Sequence, residues 1–402
     1  MKRTSSRPPT PTDKSFCLRG LLALAAIQFF GCSEEATIGP EIADCSIPLE
    51  RFTDGGVDRS GIPALRNPKV SLRATPDLGY IFRSDLVIGL QFNDQPLAIP
   101  LKLLWWHEVV NFEVPGERLT VTYSPLTGSS LVFNPAPTGV GDFEVSKYVL
   151  DTNLVMEDDE GTLWPQMISA ASCGPKDGLS LARVPYEQMS FAAWSAIHQD
   201  TWVVSMDTGF DYFYTLYPYG DYRELNNTKL RYPIASPIDQ RRPPKERVIG
   251  VPAGTGGIAF PIPLLAQRAI SDQGGGSVVF VWAASAMAGN TPVVAFWNSM
   301  AGAVIYRSTA NGQPLTFEVV NGARRDIETG SRWNFAGRAV EGPLEGAQLA
   351  PISDAYHAFW FAWATHQPDT EVWQPAGSVS VASDFDPLAL PTEPVDWSLA
   401  TR

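Results

Sequence analysis

Val87-Ile88-Gly89-Leu90, followed by Pro96-Leu97-Ala98-Ile99-Pro100-Leu101, has an echo later in the chain. The echo reads Val248-Ile249-Gly250-Val251, then Gly257-Ile258-Ala259-Phe260-Pro261-Ile262. Further landmarks repeat in the same order. Thr127-Gly128-Ser129-Ser130-Leu131-Val132-Phe133 matches Ala301-Gly302-Ala303-Val304-Ile305-Tyr306, and Phe143-Glu144-Val145 matches Phe317-Glu318-Val319. Gly161-Thr162-Leu163-Trp164 matches Gly330-Ser331-Arg332-Trp333. Gly174-Pro175 and Gly178 match Gly342-Pro343 and Gly346, and Trp194 through Thr201 (WSAIHQDT) matches Trp363 through Thr370 (WATHQPDT). An ordered series of this kind is the mark of internal duplication. It predicts two tandem, diverged copies of one β-rich domain, at residues 85–205 and 247–374.

Within a copy the pattern is mainly β with short helices, an α+β arrangement. Residues 86–92, 119–123 and 130–133 are short β-prone runs, and Asn93-Asp94-Gln95-Pro96 reads as the tight turn of a hairpin. Met189, Ala192, Ala193 and Ile197 stand at helical spacing and predict a helix over residues 187–198. Residues 101–106 read as one or two helical turns. The linker, residues 206–246, carries a Tyr-rich stretch and the turn-forming Arg241-Arg242-Pro243-Pro244.

Composition agrees with a packed β protein. Of 402 residues, 44% are hydrophobic and 18% charged, which is globular rather than disordered. The 34 Pro and 33 Gly are scattered, as frequent turns between short strands require. Net charge is −13. The first 31 residues hold five Lys/Arg and one Asp, so the body carries 25 basic and 42 acidic residues, or −17. An acidic body without a basic stripe repels phosphates, which excludes nucleic acid as a partner.

The N-terminus reads as an export signal over residues 1–31. Lys2, Arg3, Arg7, Lys14 and Arg19 precede residues 21–30 (LLALAAIQFF), which are apolar except for Gln28. Ten helical residues reach about half of a ~30 Å hydrocarbon core, and no other segment reaches 18 apolar residues. Gly31-Cys32 resembles the lipobox of bacterial lipoproteins. That resemblance implies cleavage before Cys32, acylation of its thiol and a cell-envelope protein anchored to membrane, with soluble secretion or an uncleaved anchor as alternatives. Phe29 departs from the usual aliphatic residue. In a bacterium with two membranes, Ser33 rather than Asp after the cysteine implies outer-membrane sorting, with a periplasmic lipoprotein as the other reading. Residues 32–84 form a tether and lead-in, and residues 375–402 a C-terminal tail. Cys17 falls in the signal, leaving Cys45 and Cys173 as a candidate disulfide in an oxidising compartment. No CxxC or Cys/His cluster suggests structural zinc.

The densest chemical stretch is Trp105-Trp106-His107-Glu108-Val109-Val110-Asn111. It resembles half of a zincin motif, with Asn111 where a second His would stand. His107 is therefore a candidate metal ligand needing carboxylates from elsewhere. Its other reading is a histidine and glutamate bonded to backbone beside packed Trp rings. The second copy has Ala266-Gln267-Arg268-Ala269 here, so any chemistry belongs to the first copy. His198 and His366 recur after the predicted helices and read as helix C-terminal partners. No hydrolase elbow, Walker or dinucleotide motif occurs.

These segments together resemble the prokaryotic family catalogued as domain of unknown function 3179. The resemblance is carried by Gly61-Ile62-Pro63-Ala64-Leu65, Asn67-Pro68, the VIG and AIPL segments, Trp106-His107-Glu108-Val109-Val110-Asn111, Thr122-Tyr123-Ser124-Pro125-Leu126-Thr127-Gly128-Ser129, Pro243-Pro244-Lys245-Glu246-Arg247-Val248-Ile249-Gly250 and Gly330-Ser331-Arg332-Trp333-Asn334. The family typically shows Thr-Tyr-Cys-Pro-Leu-Cys-Gly, whose two cysteines are here Ser124 and Thr127. Hydroxyls neither exchange thiols nor bind soft metals well. The resemblance supplies no activity and no cofactor. Three functions follow as expectations: non-catalytic binding of a small molecule or protein partner; a metal-dependent enzyme or metal-binding protein using His107 and Glu108, with Asn111, Ser124 and Thr127 as further candidates; and a structural role in the envelope.

Overall fold

The computed structural model describes residues 45–73, 78–273 and 279–375. The export signal, Cys17, Cys32, the tether and most of the tail lie outside the described residues. Among the described residues strands dominate, joined by four short α-helices. The protein is thus mainly β, as its sequence predicts.

The hairpin Leu86–Phe92/Gln95–Pro100 turns through Asn93 and Asp94, both at positive φ (51° and 57°), as a two-residue turn with a primed twist requires. Helix α1 (Leu101–His107) follows directly. Next come the antiparallel strands Val109–Val114, Glu117–Ser124 and Ser129–Asn134, and a further ladder over Glu144–Leu150, Asn153–Glu157 and Leu163–Pro165. The chain then returns to the first sheet. Glu187–Ser190 pairs antiparallel with the hairpin's first strand, α2 (Phe191–Ile197) crosses over, and Trp202–Val204 runs parallel to its second strand.

The same succession occurs again. The hairpin Arg247–Ala253/Gly256–Pro261 leads into α3 (Ile262–Gln273) and a three-stranded meander of Val281–Ala288, Thr291–Asn298 and Gly302–Arg307. A four-stranded ladder starts at Phe317–Val320. Tyr356–Phe359, α4 (Trp360–His366) and Asp369–Val372 close the sheet in the order and sense of the first.

Small contacts also recur. Trp194 Nε1 donates to Thr201 Oγ1 at 2.8 Å and Trp363 Nε1 to Thr370 Oγ1 at 3.0 Å. Each indole lies over a strand glycine. A Cβ on Gly89 would stand 2.3 Å from the Trp194 ring, and one on Gly250 2.5 Å from the Trp363 ring, so only glycine fits. Trp164 and Trp333 each donate to a buried aspartate, Asp158 at 3.2 Å and Asp326 at 2.8 Å. The halves bond reciprocally: Ser190 N donates to Ala301 O at 2.9 Å, and Phe359 N to Thr127 O at 2.7 Å. The largest apolar cluster runs through both halves, from Val87 and Leu104 to Phe296 and Trp333.

Several expectations are corrected. The helix predicted over residues 187–198 begins as a strand, because Glu187–Ser190 satisfies its backbone on Leu86–Phe92. Ser190 then caps α2 by accepting from Ala193 N at 3.2 Å. Tertiary pairing overrides the helical spacing. The two histidines are not equivalent either: His198 is the C-cap of α2 and packs tilted against Trp194 with ring centres 4.0 Å apart, whereas His366 is still helical and bonds Ala362 O. The lead-in is part of the sheets, since Thr53 pairs with Val149, Leu65 with Val110 and Leu72 with Trp202. A disulfide joins Cys45 to Cys173, tying residue 45 to the first half. Among the described residues, no helix is long and apolar enough to cross a membrane.

Candidate functional site

Helix α1 is seven residues long and buries Leu101, Lys102, Leu103, Leu104 and His107. Lys102 is anchored within the interior on Asp85 at 2.7 Å. Trp105 and Trp106 occupy the other side and remain half-buried. The helix stops at Glu108, whose φ of 55° and ψ of −33° suit a non-glycine residue poorly. Such backbone costs about 1–3 kcal/mol and persists only where surroundings over-determine it. Here Glu108 N donates to Leu104 O at 3.0 Å and Glu108 O accepts from Tyr123 N at 2.8 Å. The sharp exit sets the carboxyl beside the two indoles.

The segment read as a linker forms the other wall. Among the described residues, 206–246 contain no regular helix or strand. Its aromatic residues pack against α1. Tyr212 stacks on Trp106 with ring centres 5.0 Å apart, and Tyr217 meets Trp105 edge-on at 5.1 Å. Arg223 lies over Tyr217 and Trp105, at 4.4 and 5.0 Å. Tyr222 donates to Leu126 O at 3.0 Å, and Lys245 Nζ donates to Tyr222 O at 2.6 Å and Lys229 O at 3.1 Å. These bonds fasten the segment over the Ser124–Thr127 turn.

Between these walls lies a cavity of about 350 Å³. Trp105, Trp106, Tyr212 and Tyr219 line it together with Glu108 and Ser124. Tyr148, Tyr232 and the exposed Arg231 also reach it. Glu108 is 5% exposed, and its Oε1 accepts from Tyr219 OH at 3.1 Å. Burial pushes its carboxyl up to about 8 against that hydrogen bond, so the neutral acid predominates at neutral pH. The Tyr219 hydroxyl is pushed well up in turn by burial and by Glu108.

The sequence candidates separate. His107 is fully buried and gives both ring nitrogens to the protein: Nδ1 bonds Pro63 O and Nε2 bonds Tyr214 OH, each at 2.7 Å. Burial lowers its pKa to about 4, so the ring is neutral, donating to the carbonyl and accepting from the phenol. Asn111 is a structural pin. Its amide donates to Phe143 O at 2.9 Å and its carbonyl accepts from Phe143 N at 3.0 Å and Thr120 Oγ1 at 3.2 Å. Ser124 ends its strand at the cavity. Thr127 lies instead in a buried polar network, bonded to Ser129 Oγ at 2.8 Å and Asn153 Nδ2 at 2.9 Å. The two positions occupied by cysteines in the resemblance therefore face different surroundings. Among the described residues, no group of three His, Cys, Asp or Glu side chains is placed to hold a metal ion. Sequence reading missed Tyr214, Tyr219 and Arg231; the clustered tyrosines were a visible signal, but nothing in their spacing tied them to α1.

A family model described as "Protein of unknown function (DUF3179)" matches residues 59–370. No match was found among curated proteins or among solved structures.

Proposed function

The chain belongs to the DUF3179 family, and from that premise we propose that it is an exported cell-envelope protein that binds a small molecule without transforming it. One observation carries the reading: a cavity of about 350 Å³ with aromatic walls and a buried carboxyl that Tyr219 bonds, within the usual size range of small-ligand sites. The cavity is lined by the first half, by lead-in residues between Gly55 and Pro63, and by the segment that follows the first half. Residues 1–31 act as the export signal and Cys32 carries the lipid. The recurrent topology, the paired Trp–Gly contacts and the reciprocal bonds between halves support an origin by tandem duplication.

Against catalysis by metal stands the saturation of His107. A metal at Nε2 would displace Tyr214, and Nδ1 faces a carbonyl. Against thiol chemistry stands the absence of a thiol at residues 124 and 127. The test is native mass spectrometry and thermal shift of the mature protein with a library of small aromatic compounds. Several compounds should raise Tm, and Val149→Trp, which crowds the cavity lining, should abolish the shifts while the protein remains folded. Shifts that persist in Val149→Trp would place binding elsewhere.

A further inference from the structure

Glu108 presents an unusual arrangement. It is buried, it lines a cavity, and only Tyr219 bonds its carboxyl among the described residues. No lysine or arginine forms an ion pair with it there; Glu187, bonded by Tyr306, is the same in this respect, whereas Asp85, Glu144 and Glu246 all have one. Burial without a counter-ion holds this carboxyl neutral, and a cation entering the cavity would give its ionised form the partner that form needs. The walls beside it have the chemistry of a cation site. Trp105, Trp106, Tyr212 and Tyr219 offer electron-rich rings, which attract an ammonium or guanidinium group within about 6 Å. One of these rings already meets a cation, since Arg223 packs on Trp105 and on the neighbouring Tyr217. Arg231, the cationic residue of the lining, is solvent-exposed, while Glu108 lies inside, so the two signs of charge sit at different depths.

We infer that the cavity takes an organic ammonium ion of arylalkyl or alkyl type, whose N–H groups donate to the Glu108 carboxylate while its carbon skeleton lies against Trp105, Trp106, Tyr212 and Tyr219. The inference rests on the small-molecule reading above and adds the ligand's class. Binding converts neutral Glu108 to its carboxylate; the carboxyl proton leaves to solvent and the ammonium keeps its own. An uncharged acceptor ligand would do the opposite, accepting a hydrogen bond from the protonated acid.

The two ligand types therefore differ in the sign of their pH dependence. Glu108 titrates near 8. Of the groups around it, Tyr123, Tyr217 and Tyr219 are pushed up by burial and His107 is pushed down to about 4, so none of these changes charge between pH 6.5 and 8.5. Arg223, Arg231 and Arg247 are the cationic side chains that face this cluster. Lys245, lowered to about 8 by burial, does titrate there, but it bonds Tyr222 and Lys229 carbonyls and is retained in every variant used.

The experiment is calorimetric titration of the mature protein with 2-phenylethylamine and, separately, with the uncharged 4-phenylbutan-2-one. Amine affinity should rise about 20-fold from pH 6.5 to 8.5, following the ionised fraction of Glu108, with proton release visible as buffer-dependent heat. Ketone affinity should fall about 4-fold over the same range. Glu108→Gln should weaken the amine at least 10-fold at pH 8.5 and flatten both profiles. Should that variant fail to fold, Tyr219→Phe serves: losing the hydrogen bond that favours the carboxylate should move the amine profile to higher pH. Ketone binding without amine binding, or an amine profile that is flat or falling, overturns the ammonium inference and leaves the cavity a binding site. Failure of both probes at millimolar concentration overturns the cavity reading itself.

Discussion

The placement of Glu108 predicts how stability responds to pH. An acid whose folded pKa is raised binds more protons folded than unfolded. It therefore contributes stability that is present below the unfolded value, 4.5, and is lost as pH rises towards the folded value near 8. His107 acts in the other direction. Its folded pKa is lowered from 6.5 to about 4, so the unfolded chain binds more protons and stability rises with pH until about 6.5, then levels. His198, His357 and His366 are likewise lowered, chiefly by burial, and their contributions also level above 6.5. Above about pH 7.5 the histidines fall silent, and below it their shared contribution cancels between two proteins that differ only at Glu108. Glu187 and Glu246 are also raised by burial and add in the same sense, while Lys245, lowered from 10.5 to about 8, begins to add stability only above that value.

Comparison with Glu108→Gln isolates the one group. The linkage integral from pH 6.5 to 8 gives about 2 kcal/mol lost by the native protein and not by the variant. The measurement is urea unfolding at pH 6.5, 7.2 and 8.0, followed by tryptophan fluorescence and far-UV dichroism. The stability difference between native protein and variant should move by about 2 kcal/mol in the variant's favour as pH rises. A difference that stays constant within 0.5 kcal/mol (roughly the error of such extrapolations) would mean that Glu108 ionises like an exposed carboxyl and is not enclosed as described.

Gly89→Ala should destabilise the protein by about 1–3 kcal/mol in urea unfolding, because its Cβ meets the Trp194 ring at 2.3 Å; a neutral result would refute the close packing. His107→Ala, assayed by elemental mass spectrometry beside the native protein, should show no stoichiometric metal in either, and one metal per chain lost in the variant would restore the metal reading. Cys32→Ser, expressed in a bacterium with two membranes, should move the protein from the membrane to the soluble envelope fraction and end labelling by a fatty-acid analogue; unchanged fractionation would refute the lipid anchor.

Much of the fold was legible because its signals are local. The VIG and AIP segments are short apolar runs that must pair, and Asn93-Asp94 tolerates the positive φ that a tight hairpin demands. Residues 101–106 read as helical turns, and α1 occupies Leu101–His107. What failed was decided at a distance. Met189 sits at helical spacing from Ala192 and Ala193, yet its backbone pairs with Val87. The site was legible by half. Trp105, Trp106 and Glu108 stand together in sequence, but the wall facing them comes from about 110 residues further on, through Trp106 Nε1 to Leu216 O and Glu108 to Tyr219. Only tertiary packing brings an irregular Tyr-rich segment against a seven-residue helix. Nor could sequence show that Ser124 and Thr127, three residues apart, face a cavity and a buried polar network respectively.

The two halves share a topology but differ at the helix that follows the first hairpin. In the first, α1 ends after seven residues on a strained glutamate and leaves room beside its indoles. In the second, α3 continues for 12 residues and buries Ala266 and Ala269, small side chains that let it pack closely on its own sheet. The second half nevertheless shapes the site. Phe359 N holds Thr127 O at 2.7 Å, and the Phe359 ring would stand 3.0 Å from a Cβ on Gly128, which itself has a φ of 61°. The turn that sets Ser124 at the cavity is thus clamped from across the interface. The reciprocal bond, Ser190 N to Ala301 O, clamps the equivalent turn of the second half. On the proposed duplication, one copy keeps the opening and the other supplies rigidity. Loosening the clamp by substitution at Phe359 should therefore weaken ligand binding at Glu108 without removing any group that touches the ligand.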